Sequence, residues 1–442
     1  MFKRNIEDSL EKWMLNQHRK PLIIRGTRQV GKTTLIKGFA SKFDNFLHLN
    51  LDIAEDLRLF ERPENANDVL NGIYFLKKKQ KKAGKTLLFI DEIQNSPQAV
   101  ALLRYFYEEC PDLFVIAAGS LLESLIDKHI SFPVGRVEYL ALRPCSFSEF
   151  LGALGEEQIQ QALANADLPT SIHSHAMKLF NEYVLVGGMP EAVATYAPKR
   201  DFVAVQKIYE TLLNGYIDDS EKYANNKSMQ SVLRYILMFG WHFAGERIRF
   251  DHFANSNYKS REVGDAFRVL EKSLLVELCY PTSSVTLPLL PDIKKSPKLL
   301  WFDTGLVNFA AKIQQDIFGS DDISSLWRGR IAEHIVAQLL LSNSNSVLQK
   351  RNFWVRNAKN SQAEVDFVLQ HREGIVPIEV KSGDKSRLKS LHLFMEESNG
   401  NKAVRVWNNP FSKETIALPS GKTYELYSVP FYYVENLERL IG

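Results

Sequence analysis

The first third of the chain alternates short apolar runs with longer amphipathic stretches, a pattern typical of α/β proteins built on a parallel sheet. Each apolar run stops at glycine or an acid, so the runs predict buried strands and the stretches between them predict helices. The ends of such strands deliver polar side chains to one edge of the sheet. The predicted strands are Pro21–Arg25, Phe46–Asp52, Thr86–Ile90 and Leu113–Ser120.

Beyond residue 150 the pattern changes, and apolar residues recur at helical spacing through residues 151–240. This spacing predicts a helical lid, which we bound at residues 151–226. Residues 227–297 predict a winged helix with three helices and a wing strand. Basic residues near its third helix suit DNA phosphates, while an internal packing module is the alternative interpretation. The predicted elements are Met229–Phe239, Phe250–Asn255, Ser260–Lys272 and Leu274–Tyr280, and the basic residues are Lys259, Arg261, Arg268 and Lys272.

The last part of the chain, residues 298–442, contains two segments in which polar and apolar residues alternate as in strands. A hairpin turn is predicted between them. If the turn is centred just after Arg372, Asp366 lies opposite Glu379 and Glu364 lies opposite Lys381, all on one face. A bulge in the turn would shift this register by one residue. With residues 1–150 as the first unit, the pattern divides the chain into four parts.

The composition is that of a folded protein, with 45% apolar and 24% charged residues in 442. Length alone implies about three domains of ordinary size. The formal net charge of +3 permits local contacts with nucleic acid but does not predict them. The three cysteines are far apart, which argues against a disulfide framework and a structural zinc site. Without an apolar signal core or a membrane-length apolar run, a cytoplasmic protein with no membrane partner is expected.

The strongest motif is a glycine-rich loop directly after the first predicted strand. Residues 26–33 fit the phosphate-binding pattern G-x-x-x-x-G-K-[ST] at every fixed position, and a predicted helix follows. In this context backbone N–H groups face a polyphosphate, Lys32 reaches the outer phosphates and Thr33 holds a magnesium ion. The sequence therefore predicts a site for ATP and Mg²⁺. The predicted nucleotide-binding residues are Gly26, Thr27, Arg28, Gln29, Val30, Gly31, Lys32, Thr33 and Thr34.

Two acids follow the predicted strand at residues 86–90 and predict the second half of this site. Asp91 is placed to bind the magnesium shell, and Glu92 is placed to orient and deprotonate the attacking water; a simple strand cap is the alternative. The next strand ends at Ser120, a candidate sensor of the γ-phosphate or the water. Arg136 is a candidate finger that neutralises charge in the transition state, with a surface or structural arginine as the alternative.

Together these motifs resemble a widespread bacterial and archaeal group of AAA-type ATP-binding proteins, related to the signal-transducing ATPases, whose C-terminal domain is known only as a domain of unknown function. The resemblance implies a role for Gly188-Met189-Pro190, which is similar to the element that presses a proline against the adenine. Pro190 is therefore a candidate base contact, and a plain helix boundary is the alternative. The residues that carry the resemblance are 25–35, 89–94, 119–120 and 135–136.

The acidic C-terminal residues resemble the PD-(D/E)XK nuclease core, in which a helix glutamate, a strand aspartate and an E-x-K strand form a metal site. Glu333, Asp366, Glu379 and Lys381 match it residue by residue, whereas Val365 stands where proline is expected. Two facing carboxylates repel unless a cation lies between them, so a magnesium site is predicted, in which Lys381 positions or activates a water. The alternative is a salt-bridged hairpin in an inactive nuclease-like domain.

The predicted fold is α/β: an AAA-type P-loop NTPase sheet with a helical lid and a winged helix, followed by an α/β nuclease-like (PD-(D/E)XK) domain. The leading hypothesis is a Mg²⁺-dependent ATPase whose nucleotide state controls a nuclease-like domain acting on DNA. A nucleotide-dependent switch, or a DNA- or partner-binding module without cleavage, is the alternative, and a winged-helix DNA-binding regulator is a third. ATP or ADP is the expected small-molecule partner. Binding to DNA and assembly with further copies of the chain are both compatible with the sequence.

Overall fold

The structure is a computed structural model that describes residues 2–61, 65–119, 133, 135–224, 226–313, 329–358, 362–372, 374–381 and 388–442. These residues form a five-stranded sheet, a seven-stranded sheet and a two-stranded sheet, with helices packed against them. None of the described helices combines the length and the hydrophobicity that crossing a membrane requires.

The N-terminal sheet is parallel throughout and has the strand order β2-β3-β4-β1-β5. Every residue of its strands β1 and β3 is buried, as unbroken apolar runs require. This sheet confirms the predicted parallel α/β architecture and brings the ends of β1, β3 and β4 to one edge. The strands are β1 (Leu22–Arg25), β2 (Asn45–Asn50), β3 (Thr86–Asp91), β4 (Leu113–Gly119) and β5 (Glu138–Ala141).

Helices cover both faces of this sheet, and successive residues of β3 pack against different helices. Leu87 and Phe89 belong to a hydrophobic cluster with α1 and α2, whereas Leu88 and Ile90 belong to another with α4 and α5. The sheet is therefore buried on both sides, which is typical of α/β folds. The helices are α1 (Glu7–Leu15), α2 (Lys32–Phe39), α3 (Ala54–Arg58), α4 (Ala66–Leu76) and α5 (Pro97–Glu109).

The middle of the chain is helical, as its apolar spacing predicts. The predicted break at Gly187 and Gly188 separates two helices, and Pro190 is the first residue of the second. Proline suits that position because its fixed φ is helical and the first turn needs no N–H donor. The helices are α6 (Phe147–Ala153), α7 (Glu157–Asn165), α8 (His173–Val186), α9 (Pro190–Tyr196), α10 (Phe202–Tyr223), α11 (Lys227–Phe239) and α12 (Ser260–Lys272).

One element predicted for the winged helix differs from the observed structure. The predicted helix Phe250–Asn255 is only a 3-10 turn, Phe253–Asn255. His252 and Ala254 both have φ of 52°, a left-handed backbone that an α-helix cannot contain. The predicted helices before and after this turn are observed as α11 and α12.

Strand pairing joins this region to the C-terminal part of the chain. Strand β6 (Val276–Cys279) pairs in antiparallel fashion with β8 (Lys298–Trp301). Strand β7 (Pro281–Thr282) pairs in parallel with β9 (Asn352–Val355). Both pairings cross the predicted boundary between residues 297 and 298. One hydrophobic cluster also spans the middle helices and the C-terminal sheet, from Cys145 to Ile441.

The C-terminal sheet is mixed and has the strand order β13-β14-β12-β11-β10-β9-β7. In the hairpin of β10 and β11, Phe367 pairs with Ile378, so one further step sets Asp366 opposite Glu379. This agrees with the predicted register. The strands are β10 (Glu364–His371), β11 (Gly374–Val380), β12 (Lys402–Trp407), β13 (Ser412–Ala417) and β14 (Thr423–Pro430); the helices are α13 (Thr304–Ala310), α14 (Arg330–Ser342), α15 (Lys389–Glu397) and α16 (Leu437–Ile441).

Two glycine backbones touch where α8 meets α13. Gly187 has φ of +73°, and a Cβ on Gly305 would lie 2.5 Å from the carbonyl oxygen of Val186 and 2.6 Å from Cα of Gly187. The neighbouring atoms belong to backbone, so they cannot rotate away as a side chain would. This contact fixes the start of α13 against the end of α8.

Replacing Gly305 by alanine is expected to lower the free energy of unfolding by about 1–3 kcal/mol, because the overpacked backbone must shift. Gly215, inside α10, is the matched control, since nothing lies within 4 Å of its Cβ position. Gly215→Ala is expected to raise stability by up to about 1 kcal/mol, because alanine favours the helix. Urea denaturation followed by circular dichroism compares the two variants, and equal stabilities would contradict the close contact.

Candidate functional site

The loop between β1 and α2 has the curled backbone that a phosphate-binding loop needs. Gln29 and Gly31 have φ of 62° and 94°, and Gly31 directly precedes α2. A Cβ on Gly26 would lie 2.5 Å from the carbonyl oxygen of Leu142, so a larger residue does not fit there. The loop therefore presents the N-terminus of α2, with its unpaired N–H groups, to an anion.

Lys32 is held against this loop by two backbone carbonyls. Its Nζ donates to the oxygens of Gly26 and Thr27, at 3.0 and 2.9 Å. Burial lowers the pKa of the Lys32 ammonium. In the part of the chain that the structure describes, no carboxylate forms an ion pair with Lys32, so no ion pair has to break before it meets a phosphate.

Thr33 and Asp91 lie in direct contact, as the predicted magnesium site requires. The hydroxyl of Thr33 donates to Oδ2 of Asp91 at 2.5 Å, and Oδ1 of Asp91 accepts the N–H of Glu92 at 3.1 Å. Hydroxyl and carboxylate oxygens are the donors that Mg²⁺ prefers, so both residues fit the ion. His48 lies 4.0 Å from Asp91, and burial lowers its pKa. The sequence analysis missed His48 because it contacts Asp91 from the neighbouring strand.

Glu92 follows Asp91 with a left-handed backbone, φ 52°. This turn points its side chain toward the loop, where it lines the same cleft as Lys32 and Thr33. One carboxylate oxygen accepts a hydrogen bond from the side-chain amide of Gln94. Glu92 is thus placed beside the phosphate-binding residues and oriented by a neighbour, which a general base needs.

These residues line an open cleft of about 970 Å³. The loop and the start of α2 form one wall, Glu92 contributes to it, and α9 with Pro190 forms another. Cγ of Pro190 lies 3.5 Å from the Cβ position of Gly31. Proximity to the loop is therefore observed, while contact between Pro190 and an adenine stays a prediction. Thr27 and Val30 are buried, and neither lines the cleft.

Other predicted residues have different surroundings. Arg28 forms an ion pair with Asp219 of α10, and that hydrogen bond raises the pKa of Arg28. Arg136 is exposed and pairs with Glu108, its Nε lying 3.0 Å from a carboxylate oxygen. Arg136 is not among the residues that line the cleft. Its role as a finger stays a prediction, and Ser120 lies outside the described residues.

Arg4 is a lining residue that the sequence analysis missed. Its guanidinium Nε lies 3.0 Å from Oε1 of Glu149, and Nη1 donates to the carbonyl oxygen of Val30 at 3.4 Å. It also donates to the carbonyl of Arg143 at 2.7 Å. Arg4 thereby ties the N-terminal segment to the phosphate-binding loop, although nothing in the local sequence distinguishes it from a surface arginine.

The second group of predicted residues meets in the C-terminal region. We call the four carboxylates of Glu333, Glu364, Asp366 and Glu379 the carboxylate cluster. They come from α14, β10 and β11, and the backbone N–H of Val380 donates to Oδ2 of Asp366 at 2.8 Å. The structure therefore brings together the helix acid and the strand acids that the sequence analysis singled out.

A lysine that the sequence analysis missed enters this cluster from β8. Nζ of Lys298 lies 2.8 Å from Glu333 Oε2, 2.9 Å from Glu364 Oε1 and 3.7 Å from Asp366 Oδ1. The predicted Lys381 pairs instead with Oε1 of Glu379, at 2.7 Å. Lys298 lies outside the motif and is positioned by the pairing of β8 with β6 and by a bridge to Arg247.

Carboxylate oxygens are donors that Mg²⁺ prefers, but the described residues of the cluster do not present them in a metal-binding arrangement. Among the described residues, no group of three or more His, Cys, Asp or Glu side chains is arranged to hold a metal ion. Burial raises the pKa of Glu333 and Glu379 to about 7, and nearby Asp366 adds to both shifts. Within the described ranges, which leave out residues 382–387, Oε2 of Glu379 is buried without a hydrogen-bond partner. The acids are brought together around an ammonium, and their metal role stays a prediction.

Comparison with known proteins agrees with the geometry of the cleft. Residues 18–151 match an AAA domain. The N-terminal unit is an AAA-type P-loop ATPase domain. Residues 177–317 match one domain of unknown function (DUF8612), and residues 328–430 match another (DUF4143).

Two solved structures are similar to the chain at low identity. The Walker-type ATPase PABY2304 of Pyrococcus abyssi is 15% identical, with a TM-score of 0.45, and the match covers 70% of this chain and 96% of that one. The Holliday junction branch migration motor RuvB of Thermotoga maritima is 17% identical, with a TM-score of 0.27, covering 62% and 89%. Among curated proteins no match is found.

A buried carboxylate joins the wall of the ATPase cleft to the C-terminal region. Oδ2 of Asp303 accepts the N–H of Gly188 at 2.6 Å, two residues before Pro190. Its other oxygen, Oδ1, accepts the N–H of Leu306 at 2.8 Å and so caps α13. Burial raises the pKa of Asp303 to about 6, while these N–H donors oppose the shift.

The connection continues from Asp303 to the helix that carries Glu333. The backbone N–H of Trp301 donates to Nε2 of His334 at 3.0 Å, so the ring proton of neutral His334 is on Nδ1. Nδ1 lies 2.8 Å from the hydroxyl of Thr304, which donates in turn to Gln338 at 2.8 Å. We call the bonds from Gly188 through Asp303 to His334 the relay.

Glu92→Gln is expected to reduce the rate of ATP hydrolysis by about 100- to 10,000-fold, because a positioned general base contributes about that much. ATP binding is expected to remain within a few-fold, since the loop is unchanged. Phosphate release and the binding of a fluorescent ATP analogue measure the two effects. Glu55→Gln, at an exposed position on α3, is the control. Hydrolysis by Glu92→Gln at the wild-type rate would remove Glu92 as the base.

His334 makes stability depend on pH, because burial lowers its pKa to about 3 from an ordinary 6.5. Its contribution is present above pH 6.5 and is lost as the pH falls toward 3, since the unfolded chain binds the proton more readily. From pH 7 to pH 5, the wild type should lose about 2 kcal/mol more unfolding free energy than His334→Gln. Urea titrations test this, with His18→Gln as the exposed control. Equal losses in wild type and His334→Gln would contradict it.

Proposed function

We propose that this chain is a Mg²⁺-dependent ATPase whose nucleotide state controls a C-terminal nuclease-like domain acting on DNA. We base this proposal on the relay. Its bonds begin beside Pro190 in the wall of the cleft and end on α14, the helix that contains Glu333. A change of the cleft on nucleotide binding therefore has a path to act through, made of hydrogen bonds joined by the backbone of residues 301–304.

In the cleft, different residues bind phosphate and activate water. The N–H groups at the start of α2 and the ammonium of Lys32 bind the phosphates, while Thr33 and Asp91 hold the metal ion. When bound there, Mg²⁺ neutralises charge on the phosphate oxygens. Glu92 orients a water and accepts its proton during attack on the terminal phosphate.

The relay converts movement of α9 into movement of β8 and α13. Gly188 is bound on both sides, because its N–H donates to Asp303 and its carbonyl accepts the N–H of Cys145 at 2.6 Å. The backbones of Gly187 and Gly305 are already in contact. Because close-packed elements transmit strain, a nucleotide that draws Pro190 toward the loop displaces the segment around Asp303.

The proposed output is the hairpin that carries Asp366, Glu379 and Lys381. Its register sets the two acids opposite each other, and Lys381 contacts Glu379 at 2.7 Å, in keeping with the resemblance to the E-x-K strand of a nuclease core. We assign this domain to DNA and derive no step through a metal ion, because the ammonium of Lys298 lies among the carboxylates that would bind one.

The second candidate function is a nucleotide-dependent switch that does not cleave DNA. The observation that favours it is the same lysine, since a cluster already satisfied by an internal ion pair suits a structural role. The third hypothesis, a winged-helix DNA-binding regulator, is weakened because Arg261 and Arg268 of α12 both pair with Asp265. Their charges are partly neutralised before any phosphate is met.

Incubation of the full-length protein with supercoiled plasmid and single-stranded DNA tests the proposal. Reactions contain ATP or ADP and either Mg²⁺ or Mn²⁺. Wild-type cleavage is expected to differ at least tenfold between ATP and ADP. Lys381→Ala should abolish cleavage, and Lys32→Ala should remove the difference between nucleotides, because the loop no longer holds the phosphates.

Lys389→Ala, at an exposed position on α15, is the matched control for Lys381→Ala. Equal cleavage by Lys381→Ala and wild type would overturn the nuclease assignment. If every variant fails to cleave while ATP is hydrolysed, the switch is the better function. Hydrogen exchange in α13 and α14 should then differ between ATP-bound Glu92→Gln and the ADP-bound protein, and identical exchange would exclude the switch as well.

A further inference from the structure

We infer that Lys298 is the resident cation of the carboxylate cluster and that it keeps divalent ions out until β8 moves. The inference concerns the regulation of the proposed output site and rests on that proposed function. It goes beyond the nuclease resemblance, in which the acids bind a metal directly. Here Lys298, which is not part of the motif, lies among Glu333, Glu364 and Asp366.

The surroundings of Lys298 form a binding site for an ammonium. The residue is only 2% exposed, and its Nζ lies within 3 Å of Glu333 and Glu364, at 2.8 and 2.9 Å. The rings of Phe353 and Phe367 flank the same atom, with centroids at 4.8 and 5.6 Å. Carboxylates and aromatic faces are the two side-chain groups that attract an ammonium, and both are supplied here.

A divalent ion has no comparable position while the lysine is present. Mg²⁺ requires oxygen ligands at about 2.0–2.1 Å. An ion bound to Glu333 and Asp366 would lie close to Nζ of Lys298, which is itself 2.8 and 3.7 Å from their oxygens, and the two cations would repel. Lys381 contacts Oε1 of Glu379, and no described residue donates to its other oxygen, Oε2.

The lysine belongs to a strand that the relay holds. Strand β8 ends at Trp301, whose N–H donates to His334 at 3.0 Å, and Asp303 follows two residues later. Strand β8 also pairs with the short strand β6, and Leu299 exchanges backbone hydrogen bonds with Gly245 and Glu246 at 2.8 and 2.9 Å. A displacement of Asp303 by the cleft therefore pulls on β8, and withdrawal of Nζ leaves the acids without their cation.

Binding of Mn²⁺ to the full-length, nucleotide-free protein, measured by electron paramagnetic resonance, tests the inference. The wild type is expected to show no Mn²⁺ site that depends on Glu379. Lys298→Met keeps the length of the side chain but removes its charge, and it should gain one Mn²⁺ site at least tenfold tighter than any residual binding. Lys298→Arg should gain none, and the gained site should be lost in Lys298→Met combined with Glu379→Gln.

Two outcomes overturn the inference. One is a wild-type protein that already binds Mn²⁺ in a way that Glu379→Gln abolishes; this arm needs no Lys298 variant and stands even if Lys298→Met does not fold. The other is a folded Lys298→Met protein, hydrolysing ATP like the wild type, that gains no site. Because Mn²⁺ binding is measured without nucleotide or DNA, failure of ATP-controlled cleavage is distinguishable from failure of the inference.

Discussion

The connection between the ATPase cleft and the rest of the chain depends on a carboxylate that has no access to water. Asp303 is fully buried, and its two oxygens accept the N–H groups of Gly188 and Leu306. These donors belong to the junction of α8 with α9 and to α13, so satisfying the charge requires the two segments to meet. Separating them would deprive the buried charge of the Gly188 donor, at a cost of several kcal/mol. The contact of the Gly187 and Gly305 backbones is possible because these bonds hold the segments together.

The two functional regions are built in different ways. The phosphate-binding loop joins β1 to α2, and Asp91 and Glu92 lie at the end of β3, so these parts of the ATPase cleft are built on one parallel sheet, in which β4 lies between β1 and β3. The carboxylate cluster draws Glu333 from α14, its strand acids from a hairpin, and Lys298 from a strand that pairs outside that sheet. The first site is therefore determined by one sheet, whereas the second exists only when several elements are packed together.

This difference explains what the sequence could predict. The phosphate-binding loop follows from glycines at fixed spacing beside a strand, and the register of the β10–β11 hairpin follows from a short turn; both are local. Strand pairing and packing bring distant partners to Lys298, Asp303 and His48. The bond from Lys298 to Glu333, for example, joins residues 35 positions apart, and a local sequence motif cannot predict such a contact. The helix predicted at residues 250–255 is not observed, because His252 and Ala254 have a left-handed backbone. Glycines would have indicated such a conformation in the sequence, whereas these two residues do not.

The charge balance of the carboxylate cluster links the position of Lys298 to the kind of cation that the acids bind. Four carboxylates face Lys298, Lys381 and Arg247, whose Nη1 lies 3.3 Å from Oε2 of Glu364. With all four carboxylates ionised, one negative charge is left over, and among the described residues Oε2 of Glu379 is buried without a hydrogen-bond partner. Withdrawing Lys298 would leave two uncompensated charges, which is the charge of a divalent ion. The same side chain that satisfies the buried acids in this structure thus determines whether they attract a metal, and the relay connects its position to the nucleotide cleft.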